Sequence, residues 1–205
     1  MKIFSRIFAA AALLAVAGTQ AHAANIVLNG GFETGDLTDW SVNTSSVYPW
    51  EVDTSGQGFG NVPFDGTYFA SMGCVGSQCI TGVPSRQASL SQSLSTTVGD
   101  TYTLNFWFGS AYGNPMEVQA LFGGAVVEDL VSIGVTPYTE YTVSGLVATS
   151  TTTQLEFLGR QDLGFNELDD VSVTDNGPTA PEPAFWLLGL GGMLTLAAAR
   201  RLVRT

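Results

Sequence analysis

Between residues 24 and 176 the apolar positions recur with a period of two, in short segments rich in Val, Thr, Phe, Tyr and Trp that are separated by Gly, Pro, Asn and Asp clusters. The clearest is TYTLNFWFG. There Tyr102, Leu104, Phe106 and Phe108 fall on one face, and Thr101, Thr103, Asn105 and Trp107 on the other. The first face is read as core. The same reading places Leu90 and Leu94 of ASLSQSLS inward, with Tyr141 and Val143 of YTEYTVSG, Leu155 and Phe157 of TQLEFLG, and Val171 and Val173 of LDDVSVT. NIVLN, SVYPWEV, TYFASM, MEVQALF and AVVEDLV are further strand candidates, and no helical periodicity of useful length interrupts them. About ten short strands with regular turn signals predict an all-β, two-sheet antiparallel sandwich of jelly-roll type.

The two ends break this pattern. MKIFSRIFAAAALLAVAGTQAHA has a basic start, an apolar run from Ile7 to Val16 and an Ala-x-Ala site at Ala21 to Ala23, the three parts of a secretory signal peptide. A short N-terminal helix of a cytosolic domain is the competing reading. Cleavage after Ala23 would remove His22, the sole histidine, so a mature chain has no Ser-His-Asp or Cys-His mechanism and no His-ligated zinc. Charge narrows the field further. The chain carries 18 acidic against 7 basic residues, and only Arg86 and Arg160 of the basic ones lie between the two ends. A nucleic-acid partner, which needs a basic stripe to neutralise phosphates, is excluded on that ground. Cys74 and Cys79, in CVGSQC, read as a disulfide closing a small loop of an exported chain, since neither a C-x-x-C redox motif nor further metal ligands accompany them.

NGGFETGDLTDW near the mature N-terminus, DGTYFASM some thirty residues on, SLSQSLSTTVGDTYTLNFWF in the middle and GFNELDDVSVT at the end are similar to successive landmarks of carbohydrate-binding-module-like jelly rolls, in the broad galactose-binding-like group. The resemblance covers nearly all of Asn25 to Thr174 and implies a fold more than an activity. It also implies a structural calcium ion near the paired chain termini. Glu33 and Asp170 match the side-chain ligands, and Asp65, or carbonyls near Gly66 and Thr67, could complete an oxygen cage. The competing reading makes Glu33 and Asp170 turn acids that accept backbone N–H bonds. The sequence departs from the family around Phe64, where another acidic ligand is sometimes found. Asp169 is the weaker candidate, because it shares parity with the inward Val171 and Val173.

Sugar binding needs an exposed aromatic face with directional polar neighbours. Trp107, on the polar side of its strand beside Asn105, is the first candidate, and it competes with a reading in which a loop covers the indole. Gln119, Glu156 and Arg160 are expected to project from the same sheet face, with Tyr48 and Trp50 at its rim. Trp40 reads as core, and Arg160 as a partner for Glu156. An enzyme would have to work with carboxylates alone, as glycoside hydrolases do, and no pair stands out from the many acids. The chain is therefore read as a non-enzyme. A purely structural matrix protein is the first alternative and a carboxylate-dependent glycoside hydrolase the second.

DNGPTAPEP reads as a Pro-rich linker over 176–183 that closes a domain spanning 24–175. After it, Ala184 to Ala199 gives an apolar run whose helix would span about 24 Å, short of a bilayer core near 30 Å, before Arg200, Arg201 and Arg204. The order Pro181-Glu182-Pro183, short apolar helix, arginine cluster resembles the PEP-CTERM sorting signal of Gram-negative bacteria. That resemblance implies an exosortase-type membrane protease as partner and transient anchoring in the inner membrane through residues 184–199. It also implies release to the cell surface or an exopolysaccharide-rich matrix.

Overall fold

A computed structural model describes residues 24–42, 48–55, 62–73, 87–113, 115–162 and 164–178. Ten strands form: β1 (Ser41–Val42), β2 (Tyr48–Thr54), β3 (Tyr68–Gly73), β4 (Ala88–Ser95), β5 (Asp100–Ser110), β6 (Met116–Phe122), β7 (Ala125–Val131), β8 (Thr136–Val147), β9 (Thr152–Gln161) and β10 (Asn166–Pro178). They make two antiparallel five-stranded sheets, in the orders β2-β3-β10-β5-β8 and β1-β4-β9-β6-β7, and no helix occurs among the described residues. This is the all-β jelly-roll sandwich that the period-two pattern predicts. Alternation fills the space between the sheets, where Leu90, Leu94, Tyr102, Leu104, Phe106, Phe108, Leu155, Phe157, Leu168, Val171 and Val173 are all buried. Tyr141 and Val143 pack at the edge of the same core, and Phe106 stacks on Tyr141 with its edge toward Phe157.

Three expectations change. NIVLN is not a strand: Asn25 makes a single bridge to Thr174, and its Oδ1 accepts the N–H groups of Val27 and Val173, each at 3.0 Å. The following Asn29 donates from Nδ2 to the carbonyls of Asp36 and Thr38, closing a compact turn that buries Phe32 and Trp40. The second change is at the C-terminal boundary. Residues 176–178, read as linker, continue β10 opposite Asp100 and Thr101 after a register shift at Gly177. Third, a bulge in β10 between Asp169 and Ser172 reverses the parity that had placed Asp169 inward. Asp170 takes the extra position with a left-handed φ of 47°, and Leu168 and Val171 both still reach the core.

Candidate functional site

The residues expected on one sugar-binding face lie on two. Trp107 and Asn105 are on β5, in the first sheet, and their outward side chains sit between Asp169 and Ser172 of β10 and Glu140 and Thr142 of β8. Gln119 on β6 and Arg160 on β9 belong to the second sheet and point away from the core on the opposite side of the sandwich. Gln119 is 8% exposed, and Arg160 is ion-paired with Asp162 rather than with the Glu156 expected from spacing. Trp50 is no rim aromatic. It is 2% exposed in the core, where its indole N–H donates to the Ala88 carbonyl at 3.2 Å. It shares its side of β2 with Val52, which packs against the same core. The Tyr48 side chain lies outside the described residues.

Above Trp107 and Asn105 is a groove of about 360 Å³. Asn105 and Trp107 form its floor, Glu140 one wall, and Asp170, Val171 and Ser172 the other, with Asn25, Gly30 and Gly31 closing one end. The end wall comes close because Gly30 has no side chain: a Cβ there would stand 1.9 Å from the Val171 carbonyl oxygen. Thr142 donates to Asn105 Oδ1 at 2.6 Å, which fixes the amide. The indole is not a bare platform. Phe64 lies on it with ring centroids 3.7 Å apart and planes 11° from parallel, as the loop-covered reading of Trp107 requires.

Two carboxylates hold the covering loop. Asp169, brought to the outer face by the bulge, accepts the N–H of Phe64 at 3.0 Å, of Asp65 at 3.3 Å and of Asp170 at 2.8 Å. Glu33 Oε1 accepts the N–H groups of Thr67 and Tyr68, both at 2.9 Å. Beneath lie Glu167 and Tyr138, the latter with a buried hydroxyl. Burial pushes the carboxyls of Glu167 and Asp169 up to about 7; for Asp169 this outweighs the backbone N–H bonds that favour its charged form. Burial, then the neighbouring Glu167 and Asp169, raise the Tyr138 phenol as well.

For the cation candidates the geometry is mixed. The Asp170 carboxyl is raised first by burial and then by the charges of Asp65 and Glu33, which lie close enough to oppose its ionisation. Glu33 does what a turn acid does, and among the described residues no three acidic or sulfur side chains form a ready metal cage. Cys74, Cys79, the signal segment 1–23, the motif Pro181-Glu182-Pro183, the run 184–199 and Arg200 with Arg201 lie outside the described residues. Phe64, Glu140 and Ser172 were not singled out as site residues by the sequence. The outward parity of Glu140 was readable, but its place next to Trp107 follows only from the strand order.

No family model matches the chain, and no curated protein sequence matches it. Solved structures do. The carbohydrate-binding module TmCBM61, in complex with β-1,4-galactotriose, superposes with a TM-score of 0.55 at 16% identity, covering 75% of this chain and 99% of that one. The tandem CBM22-1-CBM22-2 domain from Paenibacillus barcinonensis gives 0.53 at 13% identity, over 82% of this chain and 49% of that one. The enzymatically active domain of tailspike protein 4 from bacteriophage CBA120 gives 0.50 at 15% identity, over 74% of this chain and 21% of that one. At such identities the likeness is one of fold alone, a jelly-roll sandwich that carbohydrate-binding modules share with the tailspike domain.

Proposed function

We propose that the chain is an exported, non-enzymatic glycan-binding module of the cell surface or extracellular matrix, sorted through a PEP-CTERM tail by an exosortase-type protease. The observation that carries the binding reading is the groove over Asn105 and Trp107. It is large enough for a sugar ring and offers an amide, a carboxylate and a hydroxyl beside an aromatic edge. The carboxyls near 7, which a hydrolase would need in its cleft, do not line it, and Asp169 is spent on holding the loop. Affinity electrophoresis over a glycan panel tests this. Retardation should fall several-fold in Asn105→Ala and Glu140→Ala and stay unchanged in Gln119→Ala and Arg160→Ala. The reverse pattern would move the site to the other sheet. No retardation by any glycan would leave the structural-matrix reading, and release of reducing ends would restore the enzyme.

A calcium ion is part of the same proposal, held by Glu33, Asp65 and Asp170. The donor set is all oxygen, and a divalent charge would relieve the repulsion from Asp65 and Glu33 that adds to burial in raising Asp170. Calcium should raise the melting temperature and chelator should lower it; identical melting curves in both would remove the ion. The sorting reading rests on the motif alone. It predicts that the protein recovered outside the cell ends near Pro181–Pro183, and an intact tail there would refute it.

A further inference from the structure

We propose that Phe64 presents the aromatic face on which the sugar ring stacks, with Trp107 beneath it as a positioning residue. This rests on the glycan-binding reading and names the contact that reading lacks. Trp107 cannot offer an open face, because Phe64 covers it at 3.7 Å. The same contact uses only one side of the Phe64 ring, and the residue remains 38% exposed beside Val62, itself 57% exposed. Tyr138 supports the ring from the side, with centroids 5.9 Å apart and planes at 57°.

The exposed ring is also held rigid. Its own N–H and that of Asp65 are bound by Asp169, and two residues further on Glu33 binds the N–H groups of Thr67 and Tyr68. Between these clamps Gly66 turns the chain at a φ of 66°. A surface phenylalanine whose own N–H is bound and whose following turn is clamped, backed by an indole and adjoining a polar groove, is built for ring stacking. The ordering that a free side chain would undergo on binding is already done. The ligand is thus a glycan whose pyranose has one apolar C–H face, laid on Phe64, with hydroxyls directed to the groove beside Trp107.

The test uses the exported chain with soluble β-1,4-galactan and with the exopolysaccharide of the producing cell as probes. Phe64→Ala and Phe64→Leu should each bind roughly five- to tenfold more weakly than the parent, with melting temperatures little changed, while Phe64→Trp retains affinity. Leucine keeps an apolar cover on Trp107 without a π face, so it separates stacking from folding. In NMR spectra of the complex, sugar C–H protons should show contacts to the Phe64 ring. Binding by Phe64→Ala or Phe64→Leu as tight as the parent, or tighter, would make Phe64 a mere lid over Trp107 and overturn the proposal alone. A parent chain that binds neither these probes nor any other glycan would overturn the functional reading and this one with it.

Discussion

The outer faces of the two sheets share one alternation pattern and differ in relief. On the second sheet, register runs unbroken from β4 through β9 to β6, and Ser89, Ser91 and Ser93 line up with Leu158, Glu156 and Gln154. Its outward Leu121, Leu158, Glu117 and Gln119 are nonetheless buried. On the first sheet, β10 bulges at Asp170, the 62–67 loop is clamped by Asp169 and Glu33, and the segment from Asn25 to Gly31 abuts the bulge. Regular pairing makes a surface; a local break in pairing re-aims side chains and makes a groove. The acid that pairing parity would have sent into the core becomes the anchor of the loop that shapes the site.

Trp50 against Phe64 is the sharpest form of that difference, since both are aromatic and both come from Pro-preceded turns or strands of the first sheet. Trp50→Ala should destabilise the fold by about 3–5 kcal/mol, because it empties a core position and leaves the Ala88 carbonyl without its indole partner. Denaturant unfolding measures it. A loss of glycan affinity with stability intact would return Trp50 to a binding surface. The next effect is at Gly66. Alanine there would carry a left-handed backbone and place Cβ 2.3 Å from Glu33 Oε1, displacing the carboxylate that binds Thr67 and Tyr68. Gly66→Ala should cost about 1–3 kcal/mol and weaken glycan binding together. Equal loss of binding at Gly123→Ala, another left-handed glycine but in the β6–β7 turn of the other sheet, would show that the groove does not depend on the loop.

Much of the sandwich was legible because strand parity is local: each buried residue of β5 and β9 named from alternation is buried. Trp40 was legible from its landmark and is core, its indole N–H donated to the Asn29 carbonyl at 3.1 Å. What alternation cannot carry is strand order. Trp107, Gln119 and Arg160 are all outward, yet only the sheet assignments separate them. Nor can it locate bulges, which is why Asp169 was misplaced. Phe64 was visible only as a departure from the acid that the family resemblance led one to expect; its ring contact reaches from Phe64 to Trp107, past β3 and β4, a span that no short window contains.

The smallest predicted effect concerns pH and belongs to the grooved face. Glu167 and Asp169 have carboxyls near 7 in the fold, against ordinary values of 4.5 and 3.8. The native state therefore holds protons that the unfolded chain releases, so this contribution to stability is complete below about pH 4 and is lost as pH rises through about 7. Exposed Asp36 is shifted the other way, by hydrogen bonds from Thr38 and Thr34, and acts only below its ordinary value. The melting temperature should accordingly fall by a few degrees between about pH 5 and pH 8, and Glu167→Gln should flatten that slope because the amide needs no proton. Glu156 on the second sheet is raised by burial alone, and Glu156→Gln should flatten the slope less. A melting temperature that is level or rises over this range, or a slope that Glu156→Gln removes and Glu167→Gln does not, would assign the pH response to the wrong face.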